Sequence, residues 1–165
     1  MYIYLASTPL SEELEAHTSL TLYGGAEDKL HLIESNTPLE FEPASSPAYY
    51  EAIDAVGTLS GAGFAVLNNI PVTEEGHSTF EQRFMNRARK VEQEPGFIAI
   101  RVLRPLNSDT YVILTLWREE ADFEAWQNSQ AYSHAHRKRD SQDGLTEQKP
   151  SIFPRPSFVT TYSVN

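Results

Sequence analysis

The stretch TLWREEADFEAWQNSQAYSHAH, from Thr115 to His136, decides how the second part of this chain is predicted to fold. It ends an apolar strand at Trp117 and then places Glu119 and Glu120 in the first turn of an amphipathic helix, where carboxylates interact favourably with the helix dipole. The same stretch contains both tryptophans of the chain and two of its five histidines. This density of aromatic and imidazole groups predicts a site for a flat ligand or a metal ion.

The sequence on either side of this stretch predicts a ferredoxin-like unit. Four segments rich in β-branched and aromatic residues are predicted strands: Phe64–Ile70, Phe97–Leu103, Tyr111–Trp117 and Phe158–Val164. A helix with Thr73 as its N-cap is predicted between the first two strands, because Phe80, Phe84, Ala88 and Val91 recur at helical spacing. The helix after Trp117 lies between the last two strands. The order strand, helix, strand, strand, helix, strand is that of the split βαβ unit.

The first 62 residues predict a smaller α+β unit that packs against this sheet. Four short strands are predicted to form an antiparallel meander: Tyr2–Leu5, Leu20–Tyr23, Leu30–Ile33 and Leu39–Glu42. A helix is predicted over Ala48–Val56, where Tyr49, Ile53 and Val56 have helical spacing. The glycine-rich run TLSGAG at 58–63 then divides the chain into an N-terminal half, residues 1–62, and a ferredoxin-like domain, residues 63–165.

Charge and composition exclude several classes of function. The chain has a formal net charge of −10, which argues against a nucleic-acid partner, and residues 1–62 hold ten acidic side chains against Lys29 alone. It has no cysteine, so disulfides, iron–sulfur clusters and thiolate-ligated haem are excluded. No apolar run approaches the ~20 residues that cross a bilayer. The N-terminus lacks the features of a signal peptide, which predicts a cytoplasmic protein with no membrane partner.

Trp126 and His136 could share a pocket only if the helix is interrupted between them. In one continuous helix the two residues would lie ~15 Å apart and differ by ~80° around the axis. Asn128 and Ser129 favour such an interruption, because both residue types stop helices and cap new ones. His136 is the best candidate metal ligand, with a surface position in the run HAHRKRD as the alternative. Trp126 has a place in the hydrophobic core as its alternative.

Two further groups of polar residues are candidates for ligand contacts. Asn68 and Asn69 end an apolar strand side by side, and strand alternation sends them to opposite faces, so one of them points into the interior. The pattern does not decide which one. Arg83 and Arg87 lie on the polar side of the first helix, where they either meet ligand carboxylates or form a solvated basic surface.

Residues 63–165 resemble the antibiotic-biosynthesis-monooxygenase (ABM) superfamily, and within it the IsdG-type haem-degrading monooxygenases. The resemblance rests on Asn69, seven residues before Gly76, and on the PGF sequence at 95–97. It also rests on LTLW ending at Trp117, on Trp126 nine residues later and on His136 ten residues beyond that. With its acidic N-terminal extension, the whole chain is similar in layout to the longer bacillar HmoB-type members.

The resemblance implies a fold, a reaction and a set of site residues. The fold is that of the dimeric α+β barrel superfamily, and the catalytic set is Asn69, Trp126 and His136. His136 would be the axial ligand of haem iron, Trp126 would press on the porphyrin face, and Asn69 would lie on the distal side. Apart from the resemblance, Arg83 and Arg87 are added as haem-binding candidates because of their place on the polar side of the first helix. Haem is then both substrate and cofactor, and the ring is opened and iron released with O₂ and electrons from an external reductase or other donor.

Short members of this superfamily form homodimers, which leads to an expectation about this longer chain. Its first 62 residues are expected to cover the sheet that a second subunit covers elsewhere, which predicts a monomer, with a homodimer as the alternative. Two other functions stay open at this point. One is a cofactor-free ABM-type monooxygenase that acts on a quinol-like substrate, since one fold can host several chemistries. The other is a non-enzymatic haem-binding or regulatory protein.

Overall fold

The computed structural model describes residues 1–8, 18–25, 28–41, 47–87, 89–129 and 151–164. Among these residues eight strands are formed: β1 Tyr2–Ala6, β2 Thr18–Tyr23, β3 Lys29–Ser35, β4 Ala48–Val56, β5 Phe64–Pro71, β6 Phe97–Pro105, β7 Thr110–Trp117 and β8 Phe158–Val164. The strands close into one barrel in the order β1-β3-β2-β8-β5-β7-β6-β4. All eight pairings are antiparallel.

Two helices belong to the second half of the chain. Helix α1, His77–Met85, follows a short 3-10 turn in which the Thr73 side chain accepts a hydrogen bond from the Gly76 amide at 3.2 Å, as predicted. Helix α2 occupies residues 120–129. The prediction that α1 runs on to Val91 is wrong. The helix ends at Met85, Arg89 has a positive φ of 55°, and Val91 begins a separate 3-10 turn, so a loop brings Val91 back to the sheet. No helix in the described ranges is long and apolar enough to cross a membrane.

The ferredoxin-like prediction for the second half is confirmed. Its four strands lie in the order β8-β5-β7-β6, which is the 4-1-3-2 order of the split βαβ unit. The first half has the same order, because β4, β1, β3 and β2 follow one another around the barrel. The barrel closes where β2 pairs with β8 and β4 pairs with β6. The chain therefore contains two sheets of equal strand order that together form the closed barrel. The domain boundary between residues 62 and 63 stays a prediction.

The helix predicted over Ala48–Val56 is wrong, because these residues form strand β4. The strand pairs with β1 on one side and with β6 on the other. Its register with β6 shifts between Ala52 and Asp54, which is a β-bulge. A bulge adds one residue to one strand and so breaks the two-residue alternation of buried side chains. The resulting spacing of Tyr49, Ile53 and Val56 imitates a helical pattern.

The predicted meander of the first half is also wrong. Strand β3 lies between β1 and β2, so the strands are not adjacent in chain order. The fourth strand predicted at Leu39–Glu42 is absent over residues 39–41, and Glu42 lies outside the described residues. Instead, the Leu39 amide donates a hydrogen bond of 2.6 Å to the Tyr4 hydroxyl, which fixes this segment across β1. This segment is thus held by a hydrogen bond to a side chain, whereas the strand prediction required backbone hydrogen bonds to a neighbouring strand.

The barrel interior is one hydrophobic cluster to which all eight strands contribute. Ile3, Leu32, Leu67 and Leu114 are among its members, and each of these is at most 3% exposed. Because side chains alternate across a strand, the residues between these interior positions face outward. Two smaller clusters on the outer face lie beneath α1 and α2. The interior fixes the barrel, and the outer face of β5, β7 and β8 is available for a site.

Candidate functional site

An aromatic wall lies on the outer face of the sheet beneath α2. Phe123 and Trp126 of the helix pack with Phe64, Val66 and Trp117 of strands β5 and β7. The Trp126 ring centroid is 6.1 Å from that of Trp117 and 6.4 Å from that of Phe123. Trp117 is fully buried and its Nε1 donates to Thr115 Oγ1 at 3.0 Å, so it belongs to the core.

Trp126 is the half-buried member of this wall, and its indole N–H is unusual. Nε1 is buried, and within the described parts of the chain it has no hydrogen-bond partner. A buried donor without a partner costs free energy, so such groups are uncommon in folded proteins. Trp126 therefore combines an apolar ring face with a polar atom that a ligand acceptor could satisfy. This arrangement fits a planar ligand with an apolar body and polar edges.

Asn69, the predicted site asparagine, is on the interior side of the barrel wall. Asn69 lies on the same face of β5 as Ala65 and Leu67, which both belong to the interior cluster. Its Nδ2 donates to Leu67 O at 3.1 Å, to Phe158 O at 3.3 Å and to Thr160 Oγ1 at 3.4 Å. The amide of Asn69 thus joins β5 to β8. It does not share a face with Trp126.

Asn68 faces the other way, toward the side that carries Trp126. Directly opposite residues in an antiparallel pair have side chains on the same face, and Asn68 is opposite Ile113 of β7 and Val159 of β8. Val159 is 53% exposed, so the outer face is open at this point. The side chain of Asn68 makes no hydrogen bond to any described residue. The pairing with β7 and β8 therefore answers the question that the sequence left open.

Arg87, one of the two predicted haem-binding arginines, is held by carboxylates of the protein. Its guanidinium lies 2.7 Å from Asp54 of β4 and 2.7 Å from Glu92, and its side chain is 14% exposed. It also donates to Phe84 O at 3.3 Å. The charge of Arg87 is thus already compensated, and its guanidinium is not directed to the open outer face.

Arg83, the other predicted arginine, is exposed on α1 and forms no ion pair with any described residue. Seven residues are about two helical turns, so Arg83 is on the same flank of the helix as Gly76. That flank meets the segment leading into β8, since a side-chain atom on Gly76 would meet Ile152 and the Thr73 amide donates to Ile152 O at 2.7 Å. This spacing places Arg83 on the side of α1 nearest to Ile152.

The opposite flank of α1 is anchored to the sheet by a polar network. Glu81 accepts hydrogen bonds from Arg104 and from the Tyr111 hydroxyl, and Arg104 also pairs with Glu51 at 2.8 Å. The hydrogen bond from Arg104 outweighs burial and holds the pKa of Glu81 below its usual value. Burial and the bond to Glu81 raise the pKa of Tyr111. This network fixes the helix on β6 and β7.

His136 and His134 lie outside the described residues, as does everything between Ser129 and Ser151. Asn128 and Ser129 are still helical, so the helix is not interrupted at these two residues as predicted, and the chain from there to His136 lies outside the described residues. Over the described ranges, no group of three or more His, Asp or Glu side chains is placed to hold a metal ion. The axial-ligand role of His136 is therefore not tested by the geometry.

Comparison with known proteins identifies the family. The model of the family described as antibiotic biosynthesis monooxygenase matches residues 63–138. A staphylobilin-producing heme oxygenase of Staphylococcus haemolyticus is 37% identical over 93 residues, which are 54% of this chain and 86% of that protein. The chain belongs to the antibiotic biosynthesis monooxygenase family. The family resemblance predicted from the sequence is confirmed.

Other members of the ABM family differ in how much of their length is matched. A mycobilin-producing heme oxygenase of Mycobacterium tuberculosis is 38% identical over 66 residues, which are 39% of this chain. The chain spans 63% of the length of that relative. The matched stretches of both relatives are shorter than this chain, because the ABM region is only its second half.

Two solved structures share the fold over the whole chain. LmHde, a heme-degrading enzyme from Listeria monocytogenes, has a TM-score of 0.64 at 19% identity and covers 99% of each chain. The structure of a major regulator of staphylococcal pathogenesis has a TM-score of 0.73 at 20% identity and covers 98% of each chain. At such identities the likeness bears on the fold alone. It shows that the two-sheet layout of this ABM-family protein is shared by full-length neighbours.

Proposed function

We propose that this protein is a haem-degrading monooxygenase that binds haem, activates O₂ on its iron and opens the porphyrin ring to release iron. The observation that carries the proposal is the 37% identity to the Staphylococcus haemolyticus heme oxygenase over 86% of that protein. The geometry agrees with it, because Trp126 and Asn68 border an open apolar surface on one face of the sheet. A cytoplasmic location stays a prediction.

The outer face has the properties that a porphyrin requires. Val159 is the exposed part of an apolar floor whose other members, Val66 and Ile113, are buried in the outer clusters at 4% and 6% exposure, and the Trp126 ring lies beside it. Planar apolar ligands bind in such surroundings, with a few polar groups to orient them. The exposed guanidinium of Arg83 suits a propionate carboxylate. Haem supplies the iron and redox chemistry, O₂ and an external electron donor are needed, and the protein binds and orients the ring.

For Trp126 and His136 we propose the roles that the family resemblance implies. Trp126 presses on the ring face, and His136 provides the iron ligand. For the polar group on the open face we propose Asn68 in place of Asn69, because the side-chain amide of Asn69 already donates to acceptors on β5 and β8. For the propionates we propose Arg83 in place of Arg87, because Arg87 already lies between two carboxylates.

The first half is proposed to carry no second site, although its strand order is the same. Tyr4 on its outer face is 1% exposed, stacks on Tyr49 with ring centroids 4.9 Å apart, and contacts Phe41 at 4.8 Å. These rings fill the surface that the second half leaves open. We therefore propose a monomer with one haem site, in which the first half takes the place of a second subunit. A tight dimer in sedimentation equilibrium would contradict the monomer.

Titration of the apo protein with haemin tests the proposed function. The Soret band is expected to shift and to saturate at one haem per chain, because among the described residues the aromatic rings around Tyr4 fill the corresponding face of the first half. When a reductant is then added under air with catalase present, the band is expected to disappear as the ring opens. Saturation at two equivalents would contradict the single site.

The same titration separates the alternatives. Absence of a shifted Soret band would remove both the haem enzyme and the haem carrier and would favour a cofactor-free monooxygenase on a quinol-like substrate. A shifted band that persists with reductant and air would indicate a non-enzymatic haem-binding or regulatory protein.

The axial ligand is tested by His136→Ala, with His134→Ala as the matched control. Loss of the imidazole at position 136 is expected to change the Soret and visible bands of the bound haem, because a neutral imidazole is a strong iron ligand. His134 lies two residues earlier in the same basic run, so its replacement changes the local charge and composition in the same way. If the two variants give the same spectrum as the wild type, His136 is not the ligand.

A further inference from the structure

A cluster of four charged side chains joins the first half of the chain to the loop between α1 and β6. Arg87, just after α1, lies 2.7 Å from Asp54 of β4 and 2.7 Å from Glu92 of the 3-10 turn. Asp54 and Glu92 are 15% and 12% exposed at their side chains. Arg89 adds contacts of 3.3 Å to Asp54 and 3.5 Å to Glu92. We call the three residues Asp54, Arg87 and Glu92 the clasp.

The clasp holds a loop whose backbone is strained. Arg89 has a φ of 55°, a left-handed conformation that costs free energy for a residue with a side chain. Such a conformation persists only where its surroundings enforce it, and the carboxylates of Asp54 and Glu92 are those surroundings. Burial raises the pKa of Asp54, but the hydrogen bond and charge of Arg87 outweigh it and leave that pKa below the ordinary value. Asp54 is therefore ionised at neutral pH.

The loop leads directly to the aromatic wall. Val91, next to Glu92, packs against both outer clusters, including the one formed by Trp117, Phe123 and Trp126. Phe97, where the loop joins β6, packs there too, with its ring centroid 6.0 Å from that of Trp117. A displacement of the 3-10 turn would therefore move the side chains on which the Trp126 ring rests.

We propose that the clasp positions Trp126. Asp54 of the first half holds the guanidinium of Arg87, and Arg87 holds the carboxylate of Glu92. Val91, next to Glu92, packs against the wall. Asp54 and Glu92 are positioning residues that do not touch a ligand. The effect on haem rests on the proposed function, whereas the effect on the wall does not. The first half is then part of the site as well as of the barrel.

The test compares Asp54→Asn with Glu51→Gln in the full-length apo protein. Both variants remove one carboxylate charge from the same strand, and Glu51 pairs with Arg104 at 2.8 Å without contacting the loop. Both tryptophans of the chain lie in the wall, so near-UV circular dichroism and tryptophan emission report on it directly. Asp54→Asn and Glu92→Gln are expected to change these signals, whereas Glu51→Gln is expected to leave them as in the wild type. Far-UV circular dichroism shows that each variant is folded.

Asp54→Glu keeps the charge and is expected to restore most of the wild-type tryptophan signal, which a general loss of packing would not allow. With haem bound, Asp54→Asn is expected to slow ring opening about tenfold, because misplaced positioning groups reduce rates even when they lie far from the chemistry. Unchanged tryptophan signals in Asp54→Asn and Glu92→Gln would overturn the proposal. If those signals change while the wild type does not degrade haem, the clasp stands and the proposed function fails.

Discussion

Replacing Arg101 with methionine is expected to lower the free energy of unfolding by about 3–5 kcal/mol, because it leaves a carboxylate without its partner inside the barrel wall. Arg101 of β6 is 2% exposed. Its Nε donates to Glu34 of β3 at 2.7 Å, and its other nitrogens donate to Val56 O at 3.0 Å, Ile100 O at 2.9 Å and Gly57 O at 2.8 Å. One side chain thus satisfies four acceptors from three segments.

The position of this pair explains why the loss should be large. Strands β3 and β6 are not neighbours, since β1 and β4 lie between them around the barrel. Arg101 lies on the same face of β6 as Ala99 and Leu103, which both belong to the interior cluster. The pair therefore connects the two sheets through the interior. A buried charge that loses its partner is destabilising by much more than the pair contributes when both members are present.

Chemical unfolding followed by circular dichroism measures the effect, with two comparisons. The double variant Arg101→Met with Glu34→Leu is expected to recover part of the loss, because an apolar pair leaves no charge buried. Arg155→Gln removes an arginine from an ion pair of similar length, 2.8 Å to Asp109, on the surface. That variant is expected to unfold at the wild-type midpoint, because exposed pairs contribute little. A loss for Arg101→Met no greater than that of Arg155→Gln would contradict the prediction.

The pair of Arg101 and Glu34 also shows what sequence patterns cannot predict. Local alternation and helical spacing predicted β5, α1, β6, β7, α2 and β8, because each of these elements has one clear apolar period. They failed at β4, where the bulge after Ala52 changes the period and the pairing with β1 and β6 decides the outcome. Nothing near Arg101 in the sequence indicates Glu34, which is 67 residues away. The equal strand order of the two halves was also invisible, because it resides in the pairing and not in repeated residues.

The candidate site divides in the same way. The burial of Trp117 agrees with its place at the end of an apolar strand, whereas helix periodicity left Trp126 open between the hydrophobic core and a ligand contact. The ion pairs of Arg87 could not be predicted from the sequence, since Asp54 comes from a strand of the other half. For the two asparagines, alternation required opposite faces, but only the pairing with β7 and β8 assigns each one to a face.

That assignment leads to the second large effect, a hundredfold difference between neighbouring alanine variants. Asn68→Ala is expected to retain haem and to slow ring opening by roughly 10²-fold, as when a single oriented hydrogen-bond donor is removed from an active site. Asn68 shares the outer face with Val159 and makes no hydrogen bond to the described residues, so its loss should cost the fold little. Haem affinity, the rate of Soret decay and the unfolding midpoint are measured for each variant.

Asn69→Ala is the matched comparison and is expected to behave in the opposite way. Its amide donates to Leu67 O, Phe158 O and Thr160 Oγ1, so alanine removes bonds that join β5 to β8. A lost hydrogen bond of this kind costs about 1 kcal/mol of stability. Turnover at a temperature where the variant is folded should match the wild type.

The two variants remove the same side chain one position apart on one strand, so chain composition cannot separate them. Only the face of the sheet differs. If Asn69→Ala slows ring opening while Asn68→Ala does not, the family resemblance has identified the correct asparagine, and the ligand does not bind on the outer face. If Asn68→Ala alone slows it, the ligand lies on the outer face between Val159 and the wall that holds Trp126.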